Sequence, residues 1–202
     1  MRLIILSLTL LLTTALPVRA ADQHEYEFDK AHTQILFFVD HLGFSMSQGE
    51  FHDYSGGFTF DRSNPENSSV DVTIRSESID MDHDKWDAHM KNADFLNVTE
   101  YPTMAFKSTD INVTGGNTAE IAGDFTMLGV TRPVTLNVTH NKSGVHPFSG
   151  RYVSGFSAEA KLQRSEFGMN YGLPNVGDTV HIRLEVEGMR IEQDKEEEEA
   201  GK

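Results

Sequence analysis

The chain has 202 residues and no cysteine, which excludes thiol nucleophiles, thiolate metal ligands and CxxC redox chemistry. Its formal charge of −14, from 31 acids against 17 Lys and Arg, repels nucleic-acid phosphates and anionic lipid headgroups. A chain of this length builds its own core as one ordinary domain without disulfides.

The first residues read as an export signal. Met1-Arg2 is a short positive start, Leu3 to Leu12 is apolar except for Ser7 and Thr9, and Val18-Arg19-Ala20 fits a signal-peptidase site. The apolar run is shorter than the about 20 residues of a bilayer span. Residues 1–20 are therefore expected to be a cleaved leader, with the mature chain starting at Ala21. The leader carries Arg2 and Arg19 and no acid, so cleavage takes the formal charge from −14 to −16.

After the leader, period-two alternation dominates. Tyr26 and Phe28 alternate with Glu25 and Glu27. Ile35, Phe37 and Val39 share one face of a strand, with Leu36 and Phe38 on the other. Gly56-Gly57 and Ser63-Asn64-Pro65 read as turns. Val70, Val72 and Ile74 alternate with Asp71, Thr73 and Arg75. The pattern then breaks. Asp84 to Leu96 reads as a helix with Asp84 at its N-cap, and Tyr101-Pro102 returns the chain to extended structure.

Strands resume beyond it. Gly115-Gly116-Asn117 is a turn. Ala119 to Met127 and Pro133 to His140 form a hairpin, with Val134, Leu136 and Val138 on one face. Proline is tolerated at the first residue of a strand, which suits Pro133. A short irregular or helical piece covers Arg164 to Asn170, and Asn175 to Asp178 is a turn. Val180, Ile182, Leu184 and Val186 then alternate with polar residues. The acidic run from Glu192 reads as a disordered, solvated tail. Many half-buried strands with one inserted helix suggest an all-β closed antiparallel barrel or a sandwich, and a barrel of about eight strands is just wide enough for a ligand.

Motifs of chemistry are weak. Asp80-Met81-Asp82-His83-Asp84 begins like a calcium loop, but Lys85 and Lys91 stand where an EF-hand needs Gly and Glu. His24-Glu25 begins an HExxH motif whose second His is Phe28. There is no GxSxG elbow and no P-loop. The sequons at Asn67, Asn97, Asn112, Asn137 and Asn141 read as polar strand and turn residues. No catalytic residue, metal site or cofactor is expected.

Several blocks, in order, resemble the YceI-like, polyisoprenoid-binding periplasmic proteins. They are Asp29-Lys30-Ala31-His32, Phe38 to Phe44, Gly49-Glu50-Phe51, Gly57 to Asp61, Trp86 to Leu96, Tyr101-Pro102 with Phe106 to Thr109, Gly123 to Val134, and Arg164 to Met169. The resemblance covers about residues 22–191. Within the helix block Met90 and Asn92 replace the family's usual Leu and Ser, and Trp86 stands where an Arg is common. The resemblance implies an eight-stranded, lipocalin-like barrel over 21–191, placed in the periplasm. Such a barrel would hold an isoprenoid quinone or polyprenyl phosphate in an internal tunnel for transport or storage. Some relatives are linked to acid or base stress.

A tunnel of that kind is expected to be lined by some of the Phe, Trp and Met residues: Phe38, Phe44, Phe51, Phe95, Phe106, Phe125 and Phe167, with Trp86, Met90, Met169 and Ser165. His41, Asp87, His89 and Lys91 are the candidate headgroup partners. Asp87 and Lys91 also fit a plain surface ion pair at i, i+4. The expected partner is a prenyl lipid, with transient membrane contact and a homodimer both compatible. Two other readings stand beside it. One is an enzyme using Asp87 or His89 as acid or base on a lipid or small substrate. The other is a stress-related interaction protein working through its acidic outer face.

Overall fold

A computed structural model describes residues 22–192, so the expected leader and the acidic tail beyond Glu192 lie outside the described residues. The alternating segments form β1 (Gln23–Phe28), β2 (Gln34–His41), β3 (Ser45–Phe51), β4 (Tyr54–Asp61), β5 (Ser69–Arg75) and β6 (Ile79–Asp80) before the helix α1 (Asp84–Met90). After it come β7 (Thr103–Val113), β8 (Thr118–Met127), β9 (Val130–Val145), β10 (Tyr152–Gln163) and β11 (Val176–Arg190).

These segments make an eight-stranded, closed antiparallel barrel with one helix. The eleven segments reduce to eight because three strands are interrupted. β11 pairs with β2 along its first part and with β1 along its last part, so β1 and β2 are successive lengths of one strand. β3 and β4 follow them as its neighbour, and β6 and β5 as the next. The pairing of β1 with β11 closes the wall and leaves no long free edge there.

The interruptions fall side by side and are tied by side chains. The Thr33 hydroxyl donates to the Glu187 carbonyl and accepts from the Glu187 N–H, both at 3.1 Å, replacing a ladder rung between β1 and β2. Tyr54 OH donates to the Thr33 carbonyl at 2.9 Å, fastening the next break to the first. Across the third, the Arg75 N–H reaches the Asp53 carbonyl at 2.8 Å. Breaks of this kind bend a strand and sharpen its twist, which a wall needs to close on itself.

Several local expectations change: β11 already begins at Val176, within the expected turn Asn175 to Asp178, and Pro133 lies inside β9 and not at its first residue. Gly56 and Gly57 lie inside β4, not in a turn. Gly56 has φ +110° opposite Val72, and any Cβ there would strike the Asp71 carbonyl, so glycine is required by close approach in the sheet. The helix ends at Met90, with His83 as its N-cap residue and Asp84 as its first helical residue. The remainder to Leu96 is turns, because Asn92, Asp94 and Asn97 bond locally to backbone and side chains. The piece after β10 is a 3-10 helix over Arg164–Phe167, closed by Gly168 at φ +88°.

That 3-10 turn carries a buried arginine. Arg164 is 2% exposed and donates to three carbonyls: Gly177 at 2.8 Å, Met169 at 3.0 Å and Val176 at 3.0 Å. Burial pushes its pKa down, and the neighbouring Asp178 carboxylate opposes that. The side chain thereby pins the loop that closes one end of the barrel. Arg164→Met leaves three carbonyls without a donor and should lower unfolding stability by about 2–4 kcal/mol. Urea unfolding checks this, and an unchanged midpoint would show that the cradle does not hold the loop.

Candidate functional site

The inward positions of the strands do not fill the barrel. They surround a cavity of about 720 Å³. This is large among sites for small organic ligands, which span about 300–1,000 Å³. Its wall is overwhelmingly apolar, with Phe28, Phe58, Val72, Leu136, Val138 and Ala158 around the middle. Met104 and Val113, both in the wall, are nine positions apart on β7. That is about 30 Å of strand, or roughly 20–25 Å along the barrel axis at a usual tilt.

Glycines help to keep the axis open. A Cβ at Gly49 would collide with the Phe37 ring, one at Gly123 with Phe106, and one at Gly188 with Phe58. Each ring occupies the space over a glycine on the wall, and all three rings line the cavity. Large aromatic residues thus coexist with an unfilled centre.

The two ends differ chemically. At the α1 end the wall includes His41, Trp86, His89, Met90 and Tyr171. Tyr171 packs edge-on against His89 and Phe95, each at 5.2 Å between ring centres, so the loop before β11 is stacked on the segment after the helix. At the far end the wall includes Arg62, Ser68, Ser69, Asn117, Thr118 and His140. Arg62 donates to Tyr152 OH at 2.9 Å. His140 lies between Phe60 and Phe156, at 5.2 and 5.1 Å between ring centres. Its Nε2 is 2.8 Å from the Ser143 hydroxyl, which is 2.8 Å from the buried Ser154 hydroxyl. Burial, together with the Arg62 charge, holds the His140 pKa below its ordinary value.

The residues singled out in the sequence fall into two groups. His41, Phe51, Trp86, His89, Met90, Phe95, Phe106, Phe125 and Met169 all stand in the cavity wall. Phe38, Phe44, Asp87, Ser165 and Phe167 do not. Phe38 has the opposite parity to Phe37, Val39 and His41, so the pleat turns it outward. Phe44 ends the tight turn after β2 and is 87% exposed. The Asp87 carboxylate accepts the Met81 N–H at 2.8 Å and makes no ion pair with Lys91. Ser165 donates its hydroxyl to Asp178 at 2.7 Å. Phe167 is buried behind Phe125, which takes the inner position.

The polar far end was missed, although alternation points to it. His140 continues Val134, Leu136 and Val138 on the same face of β9, and Arg62 continues Phe58 and Phe60 just past β4. Tyr171 lies in a loop and Arg164 in a one-turn 3-10 helix, where no period assigns a face. Outside the cavity, His52 Nε2 is 3.1 Å from Asp80 and 3.5 Å from Glu50. A second group joins Asp29, His32 and Glu187. Both offer oxygen and nitrogen ligands at the surface, each formed by a pair close in sequence, Asp29–His32 and Glu50–His52, and one residue from a neighbouring strand.

A closed antiparallel barrel enclosing a long apolar cavity defines the class of protein. Residues 26–188 match the YceI-like domain, and the chain belongs to that family. It is 40% identical over 181 residues to a UPF0312 protein of Pseudomonas aeruginosa, covering 89% of this chain and 92% of that protein. The Campylobacter jejuni YceI protein superposes with a TM-score of 0.70 at 27% identity, covering 76% of this chain and 90% of that one. A polyisoprenoid binding domain from Saccharophagus degradans shares the fold, with a TM-score of 0.59 at 12% identity over 83% of this chain and 99% of that domain.

The lowered His140 pKa has a sign that can be checked. An unfolded histidine titrates near 6.5. As pH falls below that value the unfolded chain takes up the proton before the folded one does, so stability is lost with acid until the folded pKa is passed. His140→Phe should therefore lose less thermal stability than the parent between about pH 7.5 and about pH 5. Equal losses in Tm would show that His140 titrates alike in both states.

Proposed function

We propose that the chain is a lipid-binding protein that encloses a long polyisoprenoid, such as an isoprenoid quinone or a polyprenyl phosphate, inside the barrel. It serves transport or storage in the periplasm, reached through the expected leader at residues 1–20. The observation that carries this reading is the apolar cavity extending between the two ends of the barrel. Family membership and the shared fold of a domain described as polyisoprenoid binding support it.

The energetics suit a carrier. Each buried CH₂ contributes about 0.8 kcal/mol, so a tail of several isoprene units is held in a bilayer by tens of kcal/mol. A partial cover could not compete with that. A cavity that encloses most of the tail returns a similar energy, and transfer between membrane and protein becomes nearly isoenergetic. The affinity relative to lipid then stays far below the ceiling of about 20 kcal/mol on noncovalent binding.

Binding without catalysis is the favoured form of this proposal. The two acid–base candidates on the helix are already engaged. Asp87 accepts a backbone N–H, and His89 lies 3.1 Å from Asp94. Of the two only His89 lines the cavity, with its Nε2 beside the Asp94 carboxylate.

Organic extraction of protein purified from its own host, followed by mass spectrometry, should recover a prenyl lipid in near-stoichiometric amount. Ala158 faces the mid-barrel between Val138 and Leu184. Ala158→Phe should lower that recovery by about tenfold, equivalent to about 1.4 kcal/mol, while circular dichroism stays unchanged. A barrel that stays empty after incubation with isoprenoid quinones would contradict the proposal.

A further inference from the structure

The α1 end of the barrel presents an apolar surface that continues outward from the cavity wall at Trp86 and Tyr171. Nine large apolar side chains are exposed among the described residues, and five gather at this end: Leu42, Phe44, Met46, Trp86 and Tyr171. Trp86 is 46% exposed and Tyr171 49%. They come from three separate pieces of chain, the β2–β3 hairpin, the helix and the loop before β11. The Leu42 N–H donates to the Asn175 carbonyl at 3.0 Å, joining hairpin to loop. The Trp86 ring packs 6.3 Å from His41, joining helix to hairpin.

The hairpin tip is built to show these groups. Leu42 and Gly43 have φ of +60° and +72°, and the Phe44 N–H closes the turn on the His41 carbonyl at 3.0 Å. A left-handed pair suits Asn-Gly or Gly-Gly, and a leucine there is a conformational outlier. The β8–β9 turn carries the same strain at Leu128, φ +52°, but Leu128 packs against the core. Leu42 has no such return and points a costly apolar group at water. Strain retained without packing marks a functional position.

We infer that this rim, Leu42, Phe44, Met46, Trp86 and Tyr171, is a docking surface for a neutral or zwitterionic lipid bilayer. The inference rests on the lipid-binding reading: Trp86 and Tyr171 belong both to the rim and to the cavity wall, so a prenyl chain would pass from bilayer to barrel without crossing water. Trp and Tyr favour the headgroup level of a membrane. Charge selects the bilayer type. Asp40, Asp82, Asp84 and Asp94 flank the rim against Lys85 and Lys91, so attachment is driven by apolar contact and opposed by anionic lipid. The opposite end exposes Phe148 beside a polar opening and supplies the control.

The test uses the mature full-length chain and phosphatidylcholine vesicles. The parent protein should cosediment with them, with weak dependence on salt and weaker binding when phosphatidylglycerol is added. Trp86 is the sole tryptophan, so its emission should shift to the blue. Phe44→Glu should reduce the bound fraction by at least about tenfold, whereas Phe148→Glu should leave it unchanged. Leu42→Asn should weaken binding while relaxing the turn, which guards against a folding artefact.

Equal vesicle binding by Phe44→Glu and the parent would overturn the inference, as would loss of binding only in Phe148→Glu. A dimer that dissociates in Phe44→Glu, without vesicle binding by the parent, would overturn it in favour of a second copy of the chain. Extraction of the same samples separates this inference from the reading beneath it. A filled barrel that ignores vesicles contradicts docking alone, and an empty barrel that binds them through Phe44 contradicts lipid storage alone.

Discussion

The structure depends on one constraint: the inward side chains of eight strands must close a wall without meeting across its axis. Strand alternation places one apolar set inside, and an eight-stranded circumference leaves a lumen that side chains could fill. Here they do not. Phe37, Phe58 and Phe106 each occupy the space above a glycine, so their rings thicken the wall and spare the centre. Toward the α1 end Phe167 is buried behind the wall, while the buried residues Leu96, Met104, Met127 and Leu162 pack together and line the cavity. The result combines a folded core with a long apolar space, two demands that compete for the same residues.

Polar groups follow the same division. Arg164 is spent on three loop carbonyls, and Asp178 on the Ser165 hydroxyl and N–H, which hold that carboxylate below its usual range. These contacts secure an end of the barrel. Arg62 and His140 instead end two inward-facing rows at the far end, where the wall changes from hydrocarbon to hydrogen-bonding groups. The lumen is therefore apolar in its middle and gains polar groups at its ends.

Much of this was legible in the amino-acid order. The rows Val70-Val72-Ile74, Val134-Leu136-Val138 and Val180-Ile182-Leu184 each locate a strand and its inner face, and the ordered family blocks gave the barrel. Individual wall residues were harder. Phe38 is as apolar as Phe37, and only the pleat separates them. Phe44 sits in a family block yet ends a turn in solvent. Asp87 has the spacing of an ion pair, but the Met81 N–H reaches it first. Periodicity carries no information about turns and loops, so Tyr171 and Arg164 became visible only once β11 and the 3-10 turn were placed.

The central claim is that the middle of the barrel is open and apolar. A crystal structure of the protein isolated from its natural host tests it most directly. The account predicts unbroken elongated density running from beside Met90 toward His140, wrapped by Phe58, Leu136 and Phe156. Side chains from opposite walls in van der Waals contact across the axis, with no room between them, would contradict it.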